Sequence, residues 1–426
     1  SINIGASTAR SRGQGSGTSY NPSTVVAGEN ARISSGADTR LIAAGVHGQR
    51  VESYTGGNLT IESLQDSNQY SESSSNAGFK LNLCFYPVCY GVPVTASISA
   101  GKSKIRSNYQ SVGSQSGLYA GAAGFNVYTE GHTSLIGGVI AGNREAAEQG
   151  KNRFSTASLS TQDIANHADY QARGWGATIS VSLGKPTSKG DNADNASPTD
   201  KGQDTPTQPQ AAHRKPESSM GAGSDEASAN STTASGISAG ELEIRNEQAQ
   251  QAKTGQTAQE ALAQLNREAD SEQDGSQRLE PIFDKDKVRA DIHAQIAITA
   301  EFGKAAAKAV GDYAQGKLQE AALLHHQAQQ ETDPEKKAAL TQQAQDLQDT
   351  WGEGKPGRMA AHTALAALAG GLPGAAGAAA SQSLIPQLGE ALNNHAVPEQ
   401  LQAILLQLAG AGIGAASGGT SGAAAG

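Results

Sequence analysis

Short runs of alternating apolar and polar residues fill the first 185 positions of this chain, and glycine punctuates them. VVAGENARI (25–33) leads into SSGADTRLIAAG (34–45) and TGGNLTIESL (55–64), and SGLYAGAAGFNVYTEG (116–131) and HTSLIGGVIAG (132–142) repeat the form. Period-two alternation broken by Gly with Asn or Asp marks short strands joined at tight corners, where positive φ is needed. Asp38 in GADTRL and Asn58 in GGNLTI stand about 20 residues apart, a typical length for one coil of a repeating stack. One such coil cannot bury its apolar face alone and must stack on its neighbours at about 4.8 Å per layer. The pattern predicts an all-β parallel β-helix (a solenoid) over residues 1–185. Val26, Ile33, Leu41, Leu59, Ile61, Val127, Leu135 and Ile140 are its expected inward positions. A β-sandwich with Gly-rich turns is the competing architecture.

No apolar period survives in residues 186–236, which are rich in Pro, Ser, Thr, Asp, Gln and Gly. A segment that buries so little cannot offset its ordering entropy, so a disordered linker is expected. From 237 to 426 the pattern turns helical and rich in small residues. A firm helix is expected from Asp284, because Val288, Ile292, Ile296, Phe302, Ala306, Val310 and Tyr313 recur at three- and four-residue steps. Thr332 and Glu335 have capping-box spacing around Pro334, and Trp351 with GEGKPG ends that helix. Met359–Gly389 and Leu401–Gly426 contain no Asp, Glu, Lys or Arg and are crowded with Ala and Gly. Small residues allow close helix approach. A run of this length could span a bilayer, yet Ala and Gly supply little transfer energy. Three readings stay open for these runs: a soluble helical hairpin, a conditionally membrane-active segment, or flexible linker.

Composition sharpens this picture. Aromatic residues are only 4% of the 426 positions, so one dense core is not expected, and the three regions differ in class. The formal net charge of -9 argues against a nucleic-acid partner, which needs a basic surface. SINIGASTARSRG lacks the apolar core of a signal peptide, and the abrupt ends of the chain read as those of a piece of a longer protein.

Candidate chemistry is sparse. LCFYPVCYG (83–91) holds both cysteines, Cys84 and Cys89. A metal site would need two further ligands nearby, and a thioredoxin-like switch wants C-x-x-C at a helix start. A local disulfide pinning a hairpin is the remaining reading, worth roughly 2 kcal/mol before strain, and it suits an oxidising compartment. Asp163, His167 and Asp169 could be imagined as a catalytic cluster, but the polar corners of a coil are the favoured reading. His325 and His326 lie on a polar helix stretch, where a solvated face is the default. No nucleophile elbow, zinc-protease motif, P-loop or dinucleotide fingerprint occurs. No enzyme activity, cofactor or metal is expected.

Four stretches carry a family resemblance: VESYTGGNLTIESLQDSNQY (51–70), LCFYPVCYG (83–91), GKSKIRSNYQSVGSQSGLYAG (101–121) and LSTQDIANHADYQA (159–172). In order and spacing they resemble the hemagglutinin-repeat region of filamentous-hemagglutinin-like exoproteins, above all the toxin-delivery proteins of contact-dependent growth inhibition. LEPIFDKDKVRADI (279–292) onward is similar to the helical pre-toxin segment of those proteins. The resemblance implies two-partner secretion through an outer-membrane transporter, passage through the periplasm and display at the bacterial cell surface. It also implies a role in carrying a C-terminal toxin, with its immunity protein as cognate partner, across a target-cell outer membrane toward the periplasm. A filamentous adhesin segment is the alternative function. Phe85, Tyr86, Val88 and Tyr90 are then expected to contact membrane or partner. Replacing Cys84 and Cys89 by Ser is expected to leave secretion intact and weaken delivery, measured by co-culture inhibition of target cells. Undiminished inhibition would remove any role for the pair.

Overall fold

The computed structural model describes residues 2–83, 94–183, 217–371, 390, 392–393 and 397–407. The segment expected to form a cysteine-pinned hairpin, with Cys84, Phe85, Tyr86, Val88, Cys89 and Tyr90, lies outside the described residues, as does most of the uncharged tail.

Two sheets organise the described chain. In the first, long strands run antiparallel in the order β1 (Ile2–Thr18), β7 (Gln65–Leu83), β8 (Val94–Val112), β12 (Ile164–Leu183) and β13 (Glu217–Thr233). In the second, passes that are mostly shorter pair in parallel around the 20-residue β9. These passes are β2 (Ser23–Val26), β3 (Asn30–Ser35) and β4 (Thr39–Ile42), then β5 (Ala44–Thr55) and β6 (Leu59–Glu62), then β9 (Gly117–Ile136). They continue with β10 (Val139–Gly142) and, after the short helix α1 (Arg144–Glu148), β11 (Arg153–Gln162), and end with β14 (Gly236–Ile237) and β15 (Glu241–Ile244).

Parallel pairing in register puts like side chains on top of one another. Val46 lies opposite Leu118, Leu118 opposite Ile140, and Ile140 opposite Ile237, all at most 3% exposed. Leu41, Ile61 and Leu135 form a second ladder. Corners are tied the same way. The Asp38 carboxylate accepts from the Asn58 backbone N–H at 2.7 Å, and the Asn58 side-chain oxygen accepts from the His132 N–H at 2.9 Å. Aromatic rings also stack between passes: His47 on Tyr119 at 4.6 Å, and Tyr54 on Tyr128 at 5.8 Å with the Arg245 guanidinium 4.3 Å from the Tyr128 ring centre.

These sheets overturn the parallel β-helix expected for residues 1–185. The described chain does not close into solenoid coils. It leaves the parallel sheet after β6 to form β7 and β8, and after β11 to form β12 and β13, and those long arms pair antiparallel. Sequence alternation does not distinguish the arms, because period-two alternation is the same in both pairings and only the partner differs. Val26, expected inward, is 74% exposed on the outermost pass. The disordered linker expected over 186–236 is corrected from Glu217 onward, where β13 occupies Glu217–Thr233 and pairs with β12, while residues 186–216 lie outside the described residues. Its polar Ser, Ala and Gly content (ESSMGAGSDEASANSTT) hides a strand whose stability comes from a partner edge rather than from apolar burial. Two short strands, β14 and β15, likewise occupy the start of the region expected to be all helical.

Helices follow: α2 (Glu247–Thr254), α3 (Ala258–Gln264), α4 (Lys285–Gln330), α5 (Pro334–Trp351) and α6 (Pro356–Gly371). Asp284 caps α4, its carboxylate accepting from the Asp286 and Lys287 N–H groups. At α5 the cap is Asp333 rather than Thr332, with Pro334 at the first position, because a carboxylate adjacent to Pro334 reaches the free N–H groups of Glu335 and Lys336. The complete capping box forms instead at Thr257 and Glu260. With 46 residues, α4 is about 69 Å long. Its first half lies on the antiparallel sheet, where Val288 and Ile292 join Ile105 and Ala172. Its middle packs Phe302, Ala306, Val310 and Ala314 with Trp351, Ala361, Leu392, Leu401 and Leu405.

Glycine sets the closeness of the first contact. A Cβ on Gly221 would collide with the Ile296 carbonyl oxygen, and one on Gly174 would come within 2.8 Å of the Ile292 side chain. Gly221→Val is therefore expected to lift α4 from the sheet and cost roughly 1–3 kcal/mol in chemical denaturation. Gly311→Ala, where nothing lies within 4 Å of the new Cβ, serves as control and should stabilise slightly.

Candidate functional site: one face of the antiparallel sheet

Residues directly opposite one another in a sheet share a face, and so do residues two apart along a strand. Following the register gives the face turned away from α4. Ala6, Phe79, Ile98 and Ile179 form one row across four strands. Ile4, Leu81, Ala96 and Val181 form the row on one side of it, and Ala77, Ala100, Ala177 and Met220 the row on the other. No described segment covers these rows: Ile4 is 50% exposed, Phe79 44%, Ile98 63%, Ile179 53% and Met220 53%. The reverse face of the same strands carries Lys80, Ser97, Ser99, Thr178 and Ser219. This end of the sheet is thus amphipathic, with its apolar side toward solvent. Single exposed apolar residues are ordinary, but a contiguous patch of this kind marks an interaction surface.

The next rows along the same face change character. Arg10, Ser75, Lys102 and Trp175 form one row, Arg12, Ser73, Lys104 and Arg173 the next, and Gln14, Ser71, Arg106 and Gln171 the third. The six cations are all exposed. Beyond them lies a shallow concavity of about 600 Å³ lined by Gln14, Ser16, Gln69, Arg106, Asn108 and Asp169.

The opposite face is locked to α4. Arg289 donates to the Glu72 carboxylate at 2.6 Å, and the Tyr70 hydroxyl donates to the same oxygen at 2.5 Å. Phe283 packs against Tyr70 and Tyr170, with ring centres 5.5 and 5.8 Å away. Burial pushes the Glu72 carboxyl upward, but the hydrogen bonds from Arg289 and Tyr70 outweigh it and hold the group below the ordinary range.

The structure does not gather the imagined catalytic cluster. Asp163 accepts from the Ser235 N–H at 2.8 Å, His167 bonds the Asn108 side chain at 2.8 Å, and Asp169 is exposed on the strand face. His325 and His326 are exposed on α4. His132 sits between the Ser158 and Ser160 hydroxyls, and burial lowers its pKa. Among the described residues no metal-binding group of His, Cys, Asp and Glu forms, and no helix is long and apolar enough to cross a membrane.

Residues 1–77 match the hemagglutinin repeat family. The chain is 32% identical over 348 residues to a protein of Yersinia mollaretii named tRNA nuclease CdiA, covering 81% of this chain and 10% of that protein. It is 33% identical over 287 residues to Toxin CdiA of Escherichia coli, covering 67% of this chain and 8% of the relative. A Dickeya dadantii relative named deoxyribonuclease CdiA is 33% identical over the same length. The chain thus spans about a tenth of the relatives it matches. No solved structure matches. The chain belongs to the CdiA-type, filamentous-hemagglutinin-like proteins.

The Glu72 lock gives a pH test. A carboxyl held low in the folded state stabilises the fold above its unfolded pKa of about 4.3, and that contribution is lost as pH falls through the folded pKa. Arg289→Ala should cost roughly 2 kcal/mol at pH 7, less than a fully buried pair because Arg289 is 38% exposed. The difference between variant and parent, read by thermal melts, should shrink below about pH 4.

Proposed function

We propose that this chain is a non-catalytic delivery segment. In the full-length protein it helps carry a C-terminal toxin into a neighbouring bacterium, and residues 237–426 serve as the pre-toxin region. The observation that supports delivery most directly is the apolar face, covered by no described segment, at the end of strands 17 to 20 residues long. An adhesive spacer would be expected to hide such a surface, because exposed apolar strands invite aggregation. A segment that meets the target-cell outer membrane has a use for it: burying three apolar rows in lipid offsets the solvation they otherwise require. The nuclease names of the relatives suit a toxin carried elsewhere in those much longer proteins. The outer-membrane transporter, the immunity protein and the passage through the periplasm belong to the same reading.

The test uses the full-length protein with Phe79→Ser, Ile98→Ser and Ile179→Ser together. Surface staining should show normal secretion, while inhibition of target cells in co-culture should fall at least about tenfold, the effect of 1.4 kcal/mol. Unchanged inhibition overturns the reading. Loss of cell attachment in proportion to loss of inhibition favours the adhesin instead.

A further inference from the structure

Six cations stand on one sheet face in a chain whose formal net charge is -9. None of the six forms an ion pair with a described residue, although elsewhere ion pairs are common: Arg50 with Glu52, Arg153 with Glu241, Lys308 with Asp312. Lys104 and Arg173 lie directly opposite each other on neighbouring strands, an arrangement that destabilises a sheet unless an anion lies nearby. The described carboxylates that share these strand faces lie to one side. Glu226 accepts from Gln171 at 3.2 Å, and Asp169 is one row further along.

Between the cation columns runs a line of hydroxyls. Ser71, Ser73 and Ser75 on β7 separate Arg10 and Arg12 on β1 from Lys102, Lys104 and Arg106 on β8. The three serines are exposed, and their hydroxyls make no hydrogen bond to a described residue. Hydroxyl donors flanked by guanidinium and ammonium groups match the oxygens of a phosphate monoester or diester. The band also has a fixed place. Trp175, 42% exposed, stands in the row that joins it to the apolar patch. Apolar rows, then an indole, then a belt of Lys and Arg is the order of side chains at a membrane–water boundary.

We propose that the Arg10/Arg12, Lys102/Lys104/Arg106 and Arg173 band is a binding surface for anionic phosphate-bearing lipid headgroups, those with no cation of their own beside the phosphate, seated when the apolar rows enter the bilayer. It rests on the membrane reading above and adds the lipid class. An acidic protein would satisfy the cations alone. The adjoining apolar rows and the boundary tryptophan favour a lipid surface.

The test is vesicle flotation of the purified full chain, with vesicles of phosphatidylcholine alone and vesicles containing 30 mol% phosphatidylglycerol. At low salt the parent should bind the anionic vesicles at least tenfold more tightly, and 0.5 M NaCl should remove that preference. Lys102→Gln, Lys104→Gln, Arg106→Gln and Arg173→Gln combined should abolish the preference, by roughly fivefold per cation near the surface, and leave binding to phosphatidylcholine unchanged. Circular dichroism of the variant should match the parent, because all four side chains are exposed. Equal binding of the parent to both vesicles overturns the headgroup assignment while leaving the membrane reading in place. Binding to neither overturns both. Tight binding to soluble polyphosphate without flotation assigns the band to a soluble polyanion and overturns the lipid proposal.

Discussion

Register in the antiparallel sheet is the constraint from which the rest follows. Side chains alternate faces with a period of two, so a slip of one residue between β7 and β8 would exchange Phe79 for Gly78 or Lys80 opposite Ile98. The apolar rows, the cation band and the glycine seam under α4 all depend on that register. It is held at the base of each arm. Asn166 on β12 accepts from the Val112 N–H at 2.9 Å and donates to the Thr233 hydroxyl at 3.0 Å, tying three strands where they leave the parallel sheet. Asn166 is 1% exposed, so these hydrogen bonds form away from water, where losing a partner costs most.

The two sheets divide the work. The parallel sheet holds the larger apolar core, with Phe125, Phe154, Leu59 and Ile61 almost fully buried, and its passes stack by ladders of like residues. The antiparallel arms carry few large buried side chains of their own. Their stability comes from long continuous backbone pairing, from the glycine-lined contact with α4 and from the Glu72–Arg289 pair. An element that owes little to its own apolar face can leave that face exposed, which a strand dependent on core burial cannot do.

Much of the parallel sheet was legible in the sequence. The spacing of Asp38 and Asn58 marks neighbouring passes, and their side chains do meet across one layer. The face of α4 was legible too, because a period of 3.6 is unambiguous over so long a helix. Strand partners were not legible, since alternation is blind to pairing direction, and β13 was missed because a polar strand and a polar linker share a composition. The cation band left a signal that net charge concealed: ARSR (9–12) and KSKIR (102–106) place basic residues two apart, hence on one face if the segment is a strand. Only the register shows that the two runs flank the same line of serines.

An apolar patch beside a band of cations with no ion-pair partner among the described residues is costly twice over in water. The first invites aggregation, and the second adds self-repulsion between Lys104 and Arg173. The two costs need not share a remedy, yet the register puts them in adjoining rows with Trp175 at the seam. A purely apolar partner would leave the cations desolvated and unpaired, which is worse than leaving them in water. A purely anionic partner would leave Phe79, Ile98 and Ile179 exposed. A surface that is apolar within and anionic at its edge relieves both, and it does so without moving any strand of the sheet.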